Sequence, residues 1–110
     1  MNDTEVAQLY HTAWAHWGAD SQIDVLIEEM AELTQALIKT RRNGLVFSAA
    51  VYEEMADVMI CLDQVNHKLR ECEKEDIVID NVDKKLERLK TRLMKSMGKK
   101  YPVEVSQVRP

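Results

Sequence analysis

The amino-acid sequence predicts an all-α fold, an antiparallel four-helix bundle-like domain over residues 1–110. With 110 residues, 45% of them hydrophobic, the chain matches one compact domain and is too short for a two-domain enzyme. Only 3 glycines and 2 prolines are present and aromatic residues make up 5%, which disfavours the many turns and strands of a β-sandwich or barrel. Apolar residues instead recur at intervals of three and four, as they do along helices.

The first predicted helix covers residues 3–17 and ends at Gly18. Its apolar side chains lie three or four residues apart and so share one face: Val6, Leu9, Tyr10, Ala13, Trp14 and Trp17. The second covers residues 21–42 and stops at an Asn-Gly pair, because glycine takes the left-handed conformation of a helix C-cap without strain. Ser21 and Asp24 resemble a capping box at its start. Its apolar stripe is Ile23, Leu26, Ile27, Met30, Leu33 and Leu37.

The third predicted helix covers residues 47–73, with an apolar stripe of Val51, Met55, Val58, Leu62, Val65 and Leu69. The fourth covers residues 76–97 and carries a heptad-like seam of Ile79, Val82, Leu86, Leu89 and Leu93. Gly98 and Pro102 close it, and the tail over residues 98–110 is either disordered or reaches a neighbouring copy. Short loops join antiparallel neighbours, so the second and third helices should pack as a hairpin. The seam of the fourth helix suits a second copy of the chain, and we expect a homodimer or a tetramer built from dimers.

Charge is distributed unevenly along the chain, although the net charge is only −4 from 15 basic and 19 acidic residues. Residues 20–80 hold 14 of the acids, whereas residues 84–100 hold eight bases. The lack of a uniformly basic surface argues against nucleic-acid binding. No apolar run approaches the roughly 18 residues that span a bilayer, so we expect a cytoplasmic protein without a membrane segment. Cys61 and Cys72 are 11 positions apart in one predicted helix, too far apart for a disulfide bond.

Two acidic pentads on consecutive predicted helices, residues 28–32 and 53–57, are the most informative feature of the sequence. At about 100° per residue, Glu29 lies on the shoulder of the apolar stripe, one turn from Glu32. Glu54 lies within the apolar arc of the third helix. Unpaired carboxylates in such positions are unfavourable, so several of them on facing helices need a positive partner. Ligand sets made only of oxygen suit Mg²⁺ or Mn²⁺, whereas Zn²⁺ prefers His and Cys.

Two interpretations of the pentads need no metal. Glutamate is a strong helix former, and pairs of acids one turn apart are common on solvated helix faces. Alternatively, the acids pair with the basic fourth helix in a salt-bridge network that holds the bundle together.

A resemblance to a known family extends over residues 14–93. The pattern Glu-Glu-x-x-Glu at 28–32, followed after 21 residues by Glu-x-x-Asp at 54–57, resembles the signature of the MazG-like all-α nucleoside triphosphate pyrophosphohydrolases. Shorter matches lie around it: Trp17-Gly18, Gln22-Ile23, Glu32-Leu33, Ala36-Leu37, and Lys85 with Arg92. The resemblance implies hydrolysis of a nucleoside triphosphate, NTP or dNTP, between its α- and β-phosphates, which releases a monophosphate and pyrophosphate. Such an enzyme serves nucleotide-pool housekeeping.

The resemblance also implies which residues carry the reaction. The Mg²⁺ ligands, with Mn²⁺ as a possible substitute, would be Glu29, Glu32, Glu54 and Asp57. Glu28 and Glu53 would support the ligands or act as the base, although a plain solvated acid is an equal interpretation of each. Acids alone repel a triphosphate, and bound metal ions reverse the local sign of charge.

Substrate contacts are less well specified by the sequence. Lys85 and Arg92 lie seven apart on one helix face and would clamp the pyrophosphate group, unless they belong to a solvated basic flank; Lys84 and Arg88 are rival candidates. Trp17 would stack on the base and Gln22 would hydrogen-bond to it, against an equally reasonable core or interface role. The three histidines, His11, His16 and His67, show no ligand-like spacing.

Other functional classes remain open. No glycine-rich phosphate loop, Ser/His/Asp grouping or paired CxxC motif is present in the sequence, so a P-loop enzyme or a covalent nucleophile has no support. A dUTPase or a phosphoribosyl-ATP pyrophosphohydrolase would use the same metal chemistry on a different nucleotide. A non-enzymatic helical interaction module would use the acids only for salt bridges.

Overall fold

The computed structural model describes residues 1–105, and the described chain is helical without any β-strand. Its elements are α1 (Asp3–Trp17), α2 (Ala19–Arg42), α3 (Ala49–Glu71), α4 (Glu75–Met97) and a 3₁₀ turn (Gly98–Lys100). The predicted all-α class with four α-helices is therefore confirmed for these residues. Of the predicted tail, residues 106–110 lie outside the described part of the chain.

The chain divides into two units, residues 1–73 and the part that begins at Lys74. The first unit contains α1, α2 and α3, and the second contains α4 and the 3₁₀ turn. That residues 1–110 form a single domain stays a prediction. In the described chain, none of the helices combines the length and the apolar character needed to cross a membrane.

The turn between α1 and α2 consists of Gly18 alone. Gly18 adopts φ +89° and ψ 159°, a conformation that is essentially restricted to glycine, and its N–H donates to the Trp14 carbonyl at 2.9 Å. Helical bonding restarts at once, since the N–H of Gln22 donates to the Gly18 carbonyl at 3.1 Å. The predicted capping box at Ser21 is therefore wrong: α2 begins at Ala19, and Ser21 lies inside its first turn.

A second glycine ends α2 at the predicted place. Gly44 has φ +75°, and its N–H donates to the Arg41 carbonyl at 2.9 Å while that of Leu45 donates to the Thr40 carbonyl at 3.1 Å. These two bonds make a Schellman motif. The hydroxyls of Thr40 and Ser48 lie 2.8 Å apart, which ties the end of α2 to the start of α3.

The start of α3 differs slightly from the prediction. Ser48 is the N-cap, and its Oγ accepts a hydrogen bond from the N–H of Val51 at 3.3 Å. The helix therefore begins at Ala49, two residues after the predicted start, and it also ends two residues early, at Glu71. In the second unit, α4 begins at Glu75, one residue before the predicted start, and ends at Met97 as predicted.

The α2–α3 hairpin is the main packed element of the first unit, with α1 against both helices. Its antiparallel arrangement, confirmed as predicted, brings Gln22 near the start of α2 into contact with Gln64 near the end of α3. The buried residues of the hairpin are Gln22, Leu26, Ala36, Thr40, Val51, Val58 and Gln64.

The buried line of α2 is narrower than the predicted stripe and is shifted around the helix. Its members are buried or half-buried and lie alternately four and three residues apart: Gln22, Leu26, Glu29, Leu33, Ala36 and Thr40. This is the seam of a paired helix, which covers less of the circumference than a full apolar face. Four residues of the predicted apolar stripe lie outside this line and are between 38% and 55% exposed: Ile23, Ile27, Met30 and Leu37.

Two residues of the predicted α3 stripe are likewise exposed. Val51 and Val58 are buried and Val65 and Leu69 are half-buried, but Met55 and Leu62 are 42% and 50% exposed. In the second unit, the seam of α4 is exposed throughout: Ile79, Val82, Leu86, Leu89 and Leu93.

Candidate metal centre

Two carboxylates occupy core positions of the α2–α3 hairpin. Glu29 stands between Leu26 and Leu33 on the buried line of α2, and Glu54 stands between Val51 and Val58 on that of α3. Both glutamates are half-buried. The sequence placed Glu29 at the edge of the apolar stripe. Because the buried line is shifted around α2, Glu29 instead lies on the line of contact between α2 and α3.

Three carboxylates converge at this point of the seam. One oxygen each of Glu29, Glu54 and Asp57 can be chosen so that all three lie within 4.8 Å of one another, and Asp57 is the exposed member. Glu29 Oε2 and Glu54 Oε2 are shielded from solvent and have no hydrogen-bond partner. Such atoms are rare in folded proteins, because a buried acceptor without a partner loses its interaction with water and gains nothing in return.

The charges around these acids are negative. Burial raises the pKa of Glu29, and the neighbouring carboxylates of Glu32, Asp57 and Glu54 raise it further. Burial likewise raises the pKa of Glu54, followed by the effects of Glu32, Asp57 and Glu53. Glu32 therefore adjoins both half-buried glutamates from its exposed position on α2. A cation at this point would oppose these effects and lower both pKa values.

The donor set fits a hard divalent cation. All the converging atoms are carboxylate oxygens, the ligands that Mg²⁺ and Mn²⁺ prefer. Oxygens bound to one Mg²⁺ ion at about 2.1 Å lie at most about 4.2 Å apart. The three carboxylate oxygens lie within 4.8 Å of one another, slightly wider than this span.

A thiol lies beside the carboxylates. Cys61 is half-buried on α3, one turn beyond Asp57, and burial raises its pKa, with smaller contributions from the charges of Glu29 and Asp57. It is therefore protonated at neutral pH. Cys61 and Cys72 are both free, as the sequence predicted.

The remaining candidate residues lie at the following places. Glu28 and Glu53 are exposed on α2 and α3, beside the buried glutamates in sequence. The four basic candidates are exposed on α4 in the second unit: Lys84, Lys85, Arg88 and Arg92. The roles of all six stay predictions.

An apolar cavity of about 450 Å³ lies between α1 and α3. Its lining consists of Leu9, Tyr10, Thr12, Ala13, His16, Trp17, Ile60 and Gln64. Trp17 is 62% exposed at the end of α1, and the His16 ring meets it at a centroid distance of 5.6 Å. Gln22 is absent from the lining; it is buried, and its Oε1 accepts a 2.7 Å hydrogen bond from Gln64 Nε2.

Two interactions within the first unit were not predicted from the sequence. The first is this buried Gln22–Gln64 pair, which only the packing of α2 on α3 creates. The second is a cluster around Glu71, whose carboxylate lies 3.0 Å from His67 Nε2 and 3.4 Å from His11 Nδ1. The i, i+4 spacing of His67 and Glu71 is visible in the sequence, but the contact with His11 on α1 is not.

Comparison with known proteins adds no identity to this geometry. No family model, no curated protein and no solved structure matches the chain.

Proposed function

We propose that this protein is a MazG-like nucleoside triphosphate pyrophosphohydrolase. It hydrolyses an NTP or dNTP at the α–β phosphate bond, in a Mg²⁺-dependent reaction that gives a nucleoside monophosphate and pyrophosphate. The observation that carries the proposal is the convergence of Glu29, Glu54 and Asp57 on the hairpin seam, with two buried oxygens that lack a partner. A bound cation would give both of these oxygens a partner.

The four acids have complementary parts in this function. Glu29 and Glu54 are fixed by the seam and present preset oxygens to the ion, whereas Glu32 and Asp57 are exposed and free to adjust to it. Together these four residues would hold Mg²⁺, which would supply positive charge to offset that of the phosphates and to acidify a water molecule. The apolar residues around Glu29 and Glu54 strengthen electrostatic interactions there by excluding water. Glu28 and Glu53 support the ligands or accept a proton from the attacking water.

The cavity between α1 and α3 supports a place for the base. Gln64 in its wall lies seven residues beyond Asp57 on α3, which is two turns or about 10 Å along the helix. A nucleotide with its phosphates at the acids would extend its base in this direction. Trp17 offers an exposed ring for stacking. Lys85 and Arg92 are assigned to the pyrophosphate group on the strength of their charge and their spacing on α4.

Exposed apolar surfaces support an oligomer. The hairpin exposes Ile23, Ile27, Met30, Met55, Met59 and Leu62, each between 38% and 64%, and α4 exposes its whole seam. Contiguous apolar surfaces of this kind mark interfaces in natural proteins. We propose a homodimer or a tetramer of four-helix bundle-like subunits, acting on nucleotides in the cytoplasm. Light scattering coupled to size exclusion tests it, and a monomer at micromolar concentration contradicts it.

The function is tested with a panel of canonical and modified NTPs and dNTPs, with Mg²⁺ or Mn²⁺, and with products resolved by chromatography. Monophosphate and pyrophosphate from several nucleotides support the proposal. Turnover confined to dUTP or to phosphoribosyl-ATP reassigns the protein to one of those relatives. No turnover, together with a thermal unfolding temperature that EDTA and Mg²⁺ leave unchanged, leaves the non-enzymatic interaction module.

Glu54→Gln is the matching variant. It keeps the shape of the side chain and removes its charge, so Mg²⁺-dependent turnover and Mg²⁺ binding by calorimetry should both be lost while the helical circular dichroism is kept. Asp24→Asn is the control, because Asp24 is an exposed acid on α2. Retained turnover in Glu54→Gln removes Glu54 from the metal site.

A further inference from the structure

Gln64 is a buried polar residue in the wall of an otherwise mostly apolar cavity. It is only 8% exposed, and it lines the cavity of about 450 Å³ between α1 and α3. Burial of an amide is unfavourable unless its hydrogen-bonding groups are used. One of them is used by Gln22, at 2.7 Å, which is itself only 9% exposed.

The bond to Gln22 leaves Gln64 with unused capacity. A glutamine amide has two N–H donors and a carbonyl acceptor. The Gln22 bond occupies one donor, or one carbonyl lone pair if both amides are turned over, so at least one N–H and one carbonyl lone pair remain. Both belong to a side chain that the pairing with Gln22 holds in one orientation.

The other polar side chains of the cavity are less suited to hydrogen-bond a ligand selectively. Tyr10 donates its hydroxyl to Asp63 at 3.3 Å, and Thr12 donates its hydroxyl to the Gln8 carbonyl at 2.7 Å. His16 is exposed and packs against the edge of Trp17. Gln64 is thus the one polar side chain of the described lining that is both buried and fixed with hydrogen-bonding groups to spare.

We infer that Gln64 determines which base the enzyme accepts, and that Gln22 is its positioning residue. The ligand is a nucleobase, held by two hydrogen bonds between its edge and the glutamine amide, as in the pairing of glutamine with adenine N6 and N7. This inference rests on the proposed nucleotide hydrolysis. It also changes the expected part of Gln22: its oxygen already accepts from Gln64, so it orients the reading residue instead of contacting the base.

The placement of Gln64 relative to the acids agrees with this role. Seven residues separate it from Asp57, and seven residues along a helix return to nearly the same face two turns on. The phosphates and the base of one nucleotide would therefore be held by the same side of α3.

The test compares kcat/KM for the four ribonucleotides and their deoxy forms in the full chain with Mg²⁺. Gln64→Met keeps the length of the side chain and removes its hydrogen bonds. The ratio between the preferred and the poorest base should fall at least about 10-fold, because a site built to hydrogen-bond a base loses discrimination when that group is removed. Gln22→Met should lower the same ratio by a smaller factor. Gln35→Met, at an exposed position of α2, is the control and should leave it unchanged.

A purely structural role for the pair predicts something different. Gln64→Met would then lower the unfolding temperature and reduce turnover of all nucleotides by one common factor, with the ratio intact; that result overturns the inference. A wild-type enzyme that hydrolyses all bases equally overturns it as well. If Gln64→Met does not fold by circular dichroism, Gln64→Glu replaces it: a side chain without donors should shift the preference toward bases with an exocyclic amino group, and an unchanged preference refutes the assignment.

A nucleoside-binding measurement, which needs no hydrolysis, distinguishes failure of the proposed function from failure of this inference. Unphosphorylated nucleosides are titrated against the tryptophan fluorescence of the wild type and of Gln64→Met. If the wild type hydrolyses no nucleotide but binds nucleosides, and Gln64→Met does not bind them, base recognition by Gln64 is supported and the hydrolytic function is refuted. If neither binds any nucleoside and turnover is absent, both fall.

Discussion

Replacing Gly18 with alanine should destabilise the first unit by about 1 to 3 kcal/mol, the range for a non-glycine residue forced into a backbone region that glycine alone populates readily. Gly18 has φ +89° and ψ 159°, and an added Cβ would meet nothing within 4 Å. The effect is therefore purely conformational, without a steric clash. For a unit of 73 residues, each kcal/mol corresponds to about 4 to 8 °C in the unfolding temperature.

The assay is thermal and urea unfolding followed by circular dichroism, beside Gly44→Ala as the reference. Gly44 has φ +75° and equally open surroundings, and its substitution should lower stability by about 1 to 2 kcal/mol. Because Gly18 alone connects α1 and α2, its variant should also weaken the proposed nucleoside binding in the α1–α3 cavity but not the proposed Mg²⁺ binding to the hairpin acids. An unfolding temperature within about 1 °C of the wild type would refute the reasoning, as would equal loss of both ligands.

Three further predictions concern the core and the charged clusters. Val51→Ala should lower the free energy of unfolding by about 2 to 3 kcal/mol in urea titrations, because Val51 is fully buried and two methyl groups are lost. In the metal-free protein, the pKa values of Glu29 and Glu54 are raised, so the folded state keeps protons that the unfolded state has already released. The free energy of unfolding should therefore fall as pH rises from about 4.3 through the raised pKa values, and then level off. Saturating Mg²⁺ should remove this slope, and a slope identical with and without the ion would contradict the metal site. Burial acts to raise the pKa of Glu71, but Lys68 and the two histidines together outweigh it and lower that pKa. The contribution of Glu71 to the free energy of unfolding should therefore be present above the ordinary glutamate pKa and be lost as pH falls through the lowered value. Glu71→Gln should abolish that loss, and a variant as stable as the wild type at pH 7 would show that the cluster contributes nothing to stability.

Helix locations were readable from the sequence because they depend on local interactions. Gly18 and Gly44 take positive φ and mark the ends of α1 and α2 as predicted, whereas the N-cap at Ser48 was missed and the predicted start of α3 lay two residues early. The error in the predicted start of α2 was also local in origin. Ser21 has the chemistry of a cap, but Gly18 allows α2 to begin before it, and which of two adjacent signals prevails depends on backbone angles that composition does not specify.

The candidate metal centre was predicted in part. Four acids stand out in the sequence by their helical spacing, and three of them converge in the fold while the fourth, Glu32, adjoins two of these. The partial burial of Glu54 agrees with its predicted place in the apolar arc of the third helix, whereas that of Glu29 depends on which line of α2 meets α3. The broad apolar face of α2 permits several such lines, and the one adopted exposes Ile27 and encloses Glu29.

The sequence by itself determined that the chain is helical, where α1, α2 and α4 end, and that its acids cluster on two consecutive helices. The ends follow from glycines that can adopt positive φ, and the rest follows from spacing along the chain, which a helix converts directly into angle and distance. Only the tertiary structure decided that Glu29 Oε2 and Glu54 Oε2 lose their contact with water, and that Gln22 and Gln64 meet across the seam. Those facts depend on the rotation of each helix about its own axis, and that rotation is fixed by how two whole surfaces pack together.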